Sequence, residues 1–244
     1  MQKTITISIV MPVYNEEGIL ERTVREHHSE IIEAIPGSEF IIVDDCSTDD
    51  SPRILKNLEK ELSAIKVLRP RQNSGHGKAL RLAFENVSCD LIFHTDSDYQ
   101  NNPKDFWKLY KQLEHADLVI GYRRSRHDPF HRLVITRLVR IMNMLSFGFD
   151  LKDANSPFKL VRKKCLVDCL VNISPDAFAP SILLALTAKW KGYRVMEIPV
   201  EHFSRKTGKV SIANWKLIKA CLMSLSDTIK LRKTLGESKL KSNK

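Results

Sequence analysis

The chain has 244 residues, of which 43% are hydrophobic and 28% charged, an ordinary composition for a soluble globular protein. This length suits one sizeable α/β domain or two small ones, and no apolar run approaches the roughly 18 residues that a membrane-spanning helix needs. The five cysteines lack Cys-x-x-Cys spacing and the first residues lack a signal-peptide pattern, so we expect free thiols in a reducing cytoplasm.

The net charge of +10 is concentrated in two segments. Residues 205–244 hold 11 Lys and Arg against two acidic residues, and residues 123–140 hold six Arg against one Asp. The remainder of the chain is therefore net acidic. Such an uneven distribution of charge indicates an anionic partner, which can be nucleic acid, anionic lipid or a phosphorylated substrate. Nucleic acid is the least favoured, because the basic residues are not interleaved with aromatic side chains that stack on bases.

Strand and helix patterns alternate through the first 120 residues. The strand runs are short and rich in β-branched residues, and the helix runs repeat apolar side chains every three or four positions. In chain order we predict a strand over 5–11 ended by Pro12, a helix over about 18–35, a strand over 40–43, a helix from Pro52, a strand over 65–68, a helix ending near Asn86, a strand over 91–93, a helix after Pro103 and a strand over 118–121. This alternation predicts a mostly parallel sheet with helices on both faces and a site along one edge.

The second half of the chain is less regular. In chain order we predict an amphipathic helix over about 130–147, a strand over 158–161, helices over 165–171 and 182–191, an edge strand over 193–200, a basic amphipathic helix from about 212 and a disordered end over 236–244. We therefore divide the chain into an α/β domain over residues 1–211 and a basic helix with its tail over 212–244. That helix can lie on an anionic membrane or pack on the core, and the sequence leaves both open.

One apolar strand run ends in two carboxylates one residue apart, Asp96 and Asp98. Two carboxylates this close repel each other unless a cation lies between them. Mg²⁺ and Mn²⁺ prefer oxygen ligands, and Mg²⁺ is usually held by one or two carboxylates together with substrate phosphates. We therefore expect Asp96 and Asp98 to bind Mg²⁺ or Mn²⁺ against a diphosphate, although a plain polar turn would give the same pattern. Two glycines in residues 73–80 precede a helix and can admit an anion, although this is not a Walker A motif.

Six polar clusters recur at strand ends and in the late loops, at residues 10–17, 42–49, 73–77, 96–100, 192–200 and 205–208. Their order and spacing resemble family 2 glycosyltransferases with the GT-A fold, and in particular the dolichyl-phosphate mannose synthase-like and bacterial polyprenyl-phosphate branch. The resemblance spans residues 5 to about 212. It implies an inverting, metal-dependent transfer of a sugar from a nucleotide-diphospho-sugar to a polyprenyl phosphate. The enzyme would be cytoplasmic and peripheral on the inner membrane face, without the transmembrane tail of many relatives.

The resemblance also implies residue roles. Asp96 and Asp98 would hold the metal and the nucleotide, and Asp45 would hydrogen-bond the base. Gln100 would lie near the donor sugar or the acceptor phosphate. The residues expected to bind the nucleotide-sugar are Pro12, Tyr14, Glu16, Val43, Asp45, Ser97, Gln100, Arg205 and Lys209. Simpler explanations exist for several of them: Tyr14 can pack at a turn, Asp45 can cap a helix, and the two basic residues can belong to a solvated face.

A catalytic base is the part of the pattern that is missing. Several relatives carry a carboxylate near residues 177–183, where this chain has none, which leaves Asp153 and Asp176 as candidates. A polyprenyl phosphate, with a second pKa of about 6, is already ionised at neutral pH and can attack without a base. A soluble transferase acting on a sugar hydroxyl in glycan assembly would need one. A nucleotidyltransferase, or a non-catalytic module that binds anions or a membrane, would also fit the charge and the strand-end carboxylates, and the oligomeric state is open.

Overall fold

The computed structural model describes residues 5–123, 130–203 and 214–242, and its centre is a seven-stranded sheet. The strands are β1 (Ile7–Val13), β2 (Glu39–Asp44), β3 (Ile65–Leu68), β4 (Leu91–His94), β5 (Leu118–Arg123), β6 (Lys159–Arg162) and β7 (Val195–Val200). Their order across the sheet is β3-β2-β1-β4-β6-β5-β7. Strand β6 runs antiparallel to β4 and β5, and the other described pairs are parallel. The predicted mostly parallel α/β fold and the predicted edge position of β7 are confirmed.

Eight α-helices of the described residues cover the sheet. They are α1 (Leu20–His27), α2 (Ser51–Glu61), α3 (His76–Glu85), α4 (Phe106–Tyr110), α5 (Phe130–Phe147), α6 (Lys163–Leu170), α7 (Pro180–Trp190) and α8 (Asn214–Ser242). A π-helical turn extends α1, and a 3₁₀ turn precedes α4. None of the helices in these ranges is long and apolar enough to cross a bilayer.

The core consists of two apolar layers, one on each face of the sheet. Because successive strand side chains point to opposite faces, β1 sends Val10 into one layer and Ile9 and Met11 into the other. The first layer is closed by α3, α6 and α7, and the second by α1, α2 and α4. Each large apolar side chain buried in this way stabilises the fold by about 1.5–3 kcal/mol. All five cysteines are free, as predicted.

Strand β1 continues to Val13, so the prediction that Pro12 ends it is wrong. The N–H of Thr95 donates to Val10 O, and the N–H of Asp45 donates to Val13 O. The backbone N–H and C=O groups of even-numbered β1 residues therefore point towards β4, and those of odd-numbered residues point towards β2. The pairing with β4 stops at Val10, so the missing N–H of Pro12 faces a side that carries no further ladder bonds.

Helix α8 extends to Ser242, so the predicted disorder from residue 236 is wrong for residues 236–242. Its side chains Leu231 and Leu235 are buried in the first apolar layer. The guanidinium of Arg232 lies 4.1 Å from the centre of the Trp190 ring and donates to the carbonyl of Ser146. This part of the helix therefore packs on the core, against α5 and α7.

Candidate functional site

The candidate site lies at the carboxyl ends of β1, β2 and β4, where the loops after β1 and β2 are bonded to each other. The backbone N–H of Asn15 donates to Ser47 Oγ at 3.0 Å, and Thr48 N–H donates to Asn15 Oδ1 at 2.8 Å. Asn15 and Cys46 both have positive φ, +54° and +61°. Asparagine tolerates this left-handed region better than most residues do. The two loops are therefore one rigid wall.

The predicted nucleotide-binding residues of this wall differ in exposure. Pro12 and Val43 are buried, and they are register partners in the sheet. Tyr14 directly follows β1 and is 46% exposed. Glu16 is buried, and its N–H donates to Ser51 Oγ at the start of α2. Their roles in nucleotide binding stay predictions.

Asp45 holds the loop that precedes α3. Its Oδ1 accepts from both the N–H and the Oγ of Ser74 at 2.7 Å, and its Oδ2 accepts from the N–H of Gly75 at 2.7 Å. Gly75 has φ +84°, which glycine adopts without strain. Asp45 is buried and fixes this loop, and its predicted bond to a base stays a prediction.

The turn that carries Asp96 and Asp98 is held from two sides. From α1, Thr23 Oγ1 donates to the carbonyl of Ser97 at 3.2 Å, and Glu26 accepts from Tyr99 OH. Tyr99 itself has φ +56°. On the other side, Gln100 is bonded to residue 203 both through its side-chain amide and through its carbonyl. The carboxylates therefore sit on a positioned turn at the sheet edge.

Asp96 faces two histidines that the sequence pattern did not single out. His94 ends β4, and its Nε2 lies 3.8 Å from Asp96 Oδ1. Both atoms are buried without a hydrogen-bond partner. His76 is the first residue of α3, and one ligand atom each of His76, His94 and Asp96 lie within 4.8 Å of one another. Burial, with Lys159 and His76 nearby, lowers the pKa of His94 well below its usual value. The chemistry of this donor set suits a divalent metal ion.

Beneath Asp96 lies a buried lysine, Lys159, which is the register partner of His94 on β6. Its Nζ donates to Ala154 O at 3.0 Å, to Ser181 Oγ at 2.6 Å and to Ser156 O. Burial lowers its pKa to about 7, while nearby Asp153 and Asp96 oppose this shift. The sequence alone does not reveal Lys159, because its place beside His94 depends on strand order.

The two candidate bases are both engaged in ion pairs. Asp153 is buried, and its two carboxylate oxygens accept from Arg123 Nε at 2.8 Å and Nη2 at 3.1 Å. Asp176 is exposed on a loop, and its ion pair with Lys78 at 2.7 Å lowers its pKa. A general base works best with a pKa near the operating pH, so this shift argues against Asp176. The predicted phosphate contacts Arg205 and Lys209 lie outside the described residues.

Sequence comparisons identify similar proteins. The model of the family described as glycosyl transferase family 2 matches residues 8–169. An undecaprenyl-phosphate 4-deoxy-4-formamido-L-arabinose transferase of Klebsiella pneumoniae is 27% identical over 214 residues, which cover 87% of this chain. The chain spans 64% of the length of that relative.

Solved structures show the same fold. Glucosyl-3-phosphoglycerate synthase from Mycobacterium tuberculosis, in complex with uridine diphosphate, has a TM-score of 0.66 at 20% identity, covering 95% of this chain and 80% of that one. The same synthase with Mn²⁺, UDP-glucose and phosphoglyceric acid has a TM-score of 0.65 at 20% identity, covering 95% and 80%. S. aureus TarS has a TM-score of 0.56 at 19% identity, covering 80% and 58%.

Proposed function

Because the chain belongs to glycosyl transferase family 2, we propose that it transfers a sugar from a nucleotide-diphospho-sugar to a polyprenyl phosphate, with inversion at the anomeric carbon. One observation carries the donor half of this proposal. The positioned Asp96–Asp98 turn lies at the carboxyl edge of the sheet, beside the rigid wall of the β1 and β2 loops. That edge is where open α/β sheets bind their ligands.

The donor site needs positive charge at the leaving diphosphate. A divalent ion, Mg²⁺ or Mn²⁺, would supply it when bound to Asp96 and Asp98, and the M. tuberculosis synthase is described with Mn²⁺ and UDP-glucose. Tyr14, exposed on the neighbouring wall, offers a ring for the base or ribose. In the transfer, the acceptor oxygen bonds to the anomeric carbon as the bond to the diphosphate breaks, and nucleoside diphosphate leaves.

The acceptor half rests on a groove beside Asp153. Its walls include the apolar side chains of Phe149, Leu151, Ile182 and Leu186, and its rim carries Arg140 and Lys152. At about 40 Å³ this groove can take only the first atoms of an acceptor, and Arg140 is ion-paired with Asp150, so the groove supports a place for the acceptor phosphate near Lys152 and not for a whole isoprenoid chain. The K. pneumoniae relative, by its name, acts on undecaprenyl phosphate. An ionised phosphate needs no base, in keeping with the ion-paired state of Asp153 and Asp176.

Exposed apolar and basic side chains on α5 and α8 support a peripheral place on an anionic membrane. Helix α5 exposes Ile141 and Leu145, and α8 exposes Leu222 and Ile229. The same two helices expose Arg137, Lys219, Lys230 and Lys233. An interfacial helix combines these two properties. We propose that α5 and α8 bind the inner face of the membrane, where the polyprenyl phosphate acceptor would be available.

The donor proposal is tested by thermal unfolding with a panel of nucleoside diphosphates and nucleotide-sugars, each with and without Mn²⁺. A ligand at a hundred times its Kd stabilises the folded state by about 2.7 kcal/mol, which is a shift of several degrees. We expect such a shift with one nucleotide, dependent on metal and lost in Asp98→Asn. The control Glu114→Gln changes an exposed carboxylate near the opposite edge of the sheet and should keep the shift.

The acceptor proposal is tested by following radiolabelled sugar from that donor. We expect label in a lipid extract when polyprenyl phosphate is supplied, with release of nucleoside diphosphate. Label on a soluble sugar instead would favour the glycan transferase, and release of pyrophosphate would favour a nucleotidyltransferase. No ligand shift and no transfer in folded protein would overturn the proposed function.

A further inference from the structure

We propose that His76, His94 and Asp96 form a site that binds a divalent transition-metal ion through two imidazoles and one carboxylate, in the absence of any nucleotide. The proposed function assigns a metal only to carboxylates and substrate phosphates. This inference depends on the proposed function in one respect only, namely that a substrate diphosphate would bind next to the ion. The binding itself is a property of three side chains in the described part of the chain.

The three residues come from two neighbouring elements. Strand β4 ends in His94, and Asp96 follows two positions later, so both point to the side of the sheet that α3 covers. Helix α3 begins at His76, whose ring centre lies 6.5 Å from that of His94. The three ligand atoms lie within 4.8 Å of one another. Metal–ligand bonds of about 2.1 Å hold two ligands at most about 4.2 Å apart, so a small rotation of the exposed His76 side chain completes the set.

Two of the ligand atoms are unsatisfied without a cation. His94 Nε2 and Asp96 Oδ1 are buried, 3.8 Å apart and without hydrogen-bond partners. That separation is too long for a hydrogen bond in either tautomer of the ring. An unpaired buried polar atom costs about 1–3 kcal/mol, and here two such atoms face each other. A cation between them would satisfy both.

A buried chain of polar groups orients the His94 ring for this role. Lys159 Nζ donates to Ser181 Oγ at 2.6 Å, and that oxygen lies 3.5 Å from His94 Nδ1. In the tautomer with the proton on Nδ1, the ring donates to Ser181 Oγ and Nε2 presents its lone pair towards Asp96. Metal binding at Nε2 requires this tautomer. Metal-binding histidines are commonly fixed in this way by a partner on the other ring nitrogen.

The ligand types determine which ions fit. Mg²⁺ takes oxygen ligands and keeps several waters, whereas imidazole suits zinc, copper, iron and nickel. Affinity for a mixed nitrogen and oxygen site rises from Mn²⁺ through Co²⁺ towards Zn²⁺. The site should therefore discriminate against Mg²⁺ and bind Co²⁺, which reports its coordination through its visible absorption.

The test is a Co²⁺ titration of the full chain without nucleotide, followed by absorption and calorimetry. We expect one site per chain whose Co²⁺ is displaced by Zn²⁺ and by excess Mn²⁺ but not by Mg²⁺. Loss of an outer-shell partner alone commonly costs about 10–100-fold in metal affinity, so His76→Ala should cost at least about tenfold. The control His115→Ala removes another exposed histidine, at the opposite edge of the sheet, and should bind as the parent does.

His76→Ala decides the outcome, because His76 is exposed and its loss leaves no core cavity. His94→Asn is a second variant, read only where circular dichroism shows the parent fold. Equal Co²⁺ affinity in His76→Ala and the parent, or sulfur-to-cobalt absorption from the free cysteines, would overturn the inference. If nucleotide still raises the unfolding temperature but Co²⁺ affinity does not depend on the histidines, this inference alone is wrong. If Co²⁺ binding depends on the histidines but no nucleotide binds, the proposed function alone is wrong.

Discussion

At the scale of single residues, His27 links the α1 helix to the strand that leads to the carboxylate turn. It is fully buried, its Nδ1 donates to Thr23 O at 2.8 Å, and its Nε2 lies 3.4 Å from Thr95 Oγ1. Its ring packs beside Phe93. Burial lowers the pKa of His27 from 6.5 to about 4. The neutral ring is therefore part of the packed structure, and protonation opposes folding.

This shift predicts how stability depends on pH. Between pH 6.5 and 4 the unfolded chain binds a proton at His27 that the folded chain does not, so the free energy of unfolding falls as the pH falls through this window. Between pH 7 and pH 5 the loss from His27 is about 2 kcal/mol. Urea unfolding at both pH values measures this loss. On acidification from pH 7 to pH 5, the free energy of unfolding should fall by about 2 kcal/mol less in His27→Gln than in the parent.

The control for this comparison is His115→Gln, which changes an exposed histidine. It should keep the full pH dependence of the parent. His94, whose pKa is also lowered, contributes with the same sign in all three proteins and cancels in the comparison. If His27→Gln and the parent lose equal stability on acidification, the assigned pKa of His27 is wrong.

Asp153 tests whether the reaction uses a base. A general base contributes about 10²–10⁴-fold, so its removal abolishes measurable turnover. Because both oxygens of Asp153 are bonded to Arg123, we expect Asp153→Asn to lower transfer to polyprenyl phosphate less than about tenfold, through a looser Arg123. Steady-state transfer rates check this, with Asp176→Asn as the exposed comparison. A loss of a hundredfold or more in either variant would restore the sugar-hydroxyl acceptor, which needs a base.

At the scale of elements, strand order explains which residues of the candidate site could be predicted from the sequence. Asp96 and Asp98 were predictable, because they follow an apolar run directly and carboxylates at a strand end are a local signal. His94 precedes them by two positions, and strand alternation alone could have placed it beside Asp96. Lys159 was not predictable: β6 inserts between β4 and β5, and this non-local pairing brings Lys159 opposite His94.

The start of α3 shows the same division between local and tertiary causes. The two glycines of residues 73–80 predicted a close approach of an anion, and Gly75 has the positive φ that supports a glycine there. Gly77 has a further reason that only the fold supplies. A Cβ at Gly77 would lie 2.4 Å from Phe178 O and 2.6 Å from Ala177 O. The helix therefore packs backbone to backbone against the loop before α7.

This contact makes Gly77→Ala a prediction about packing. Backbone carbonyls yield less than a flexible side chain does, so the variant should lose at least about 1–3 kcal/mol of folding free energy. The matched control Gly236→Ala lies inside α8, where the added Cβ meets only Arg232 at 3.5 Å. It should gain about 0.5–1 kcal/mol, because alanine favours helix. Urea midpoints measure both, and a neutral Gly77→Ala would contradict the close packing.

At the scale of the whole molecule, the charge distribution and the exposed apolar side chains coincide on α5 and α8. The sequence left open whether the terminal helix packs on the core or lies on a membrane. The structure shows that one face packs, through Leu231 and Leu235, while Leu222 and Ile229 remain exposed. Sequence periodicity could not distinguish the buried from the exposed apolar residues of α8, because the same spacing of apolar residues is expected for a helix that packs on a core and for one that lies on a bilayer.

The membrane binding that we propose would therefore use the face of α8 that exposes Leu222 and Ile229. Each Lys near an anionic bilayer contributes about 1 kcal/mol, so replacing the exposed Lys230 and Lys233 by Gln should weaken binding to anionic vesicles about thirtyfold. Vesicle sedimentation at low salt measures this, with neutral vesicles and raised salt expected to abolish binding. The matched control replaces Lys56 and Lys60 on α2 and should bind as the parent does. Equal binding to neutral and anionic vesicles, or equal losses in both pairs, would show that α8 is not the docking element.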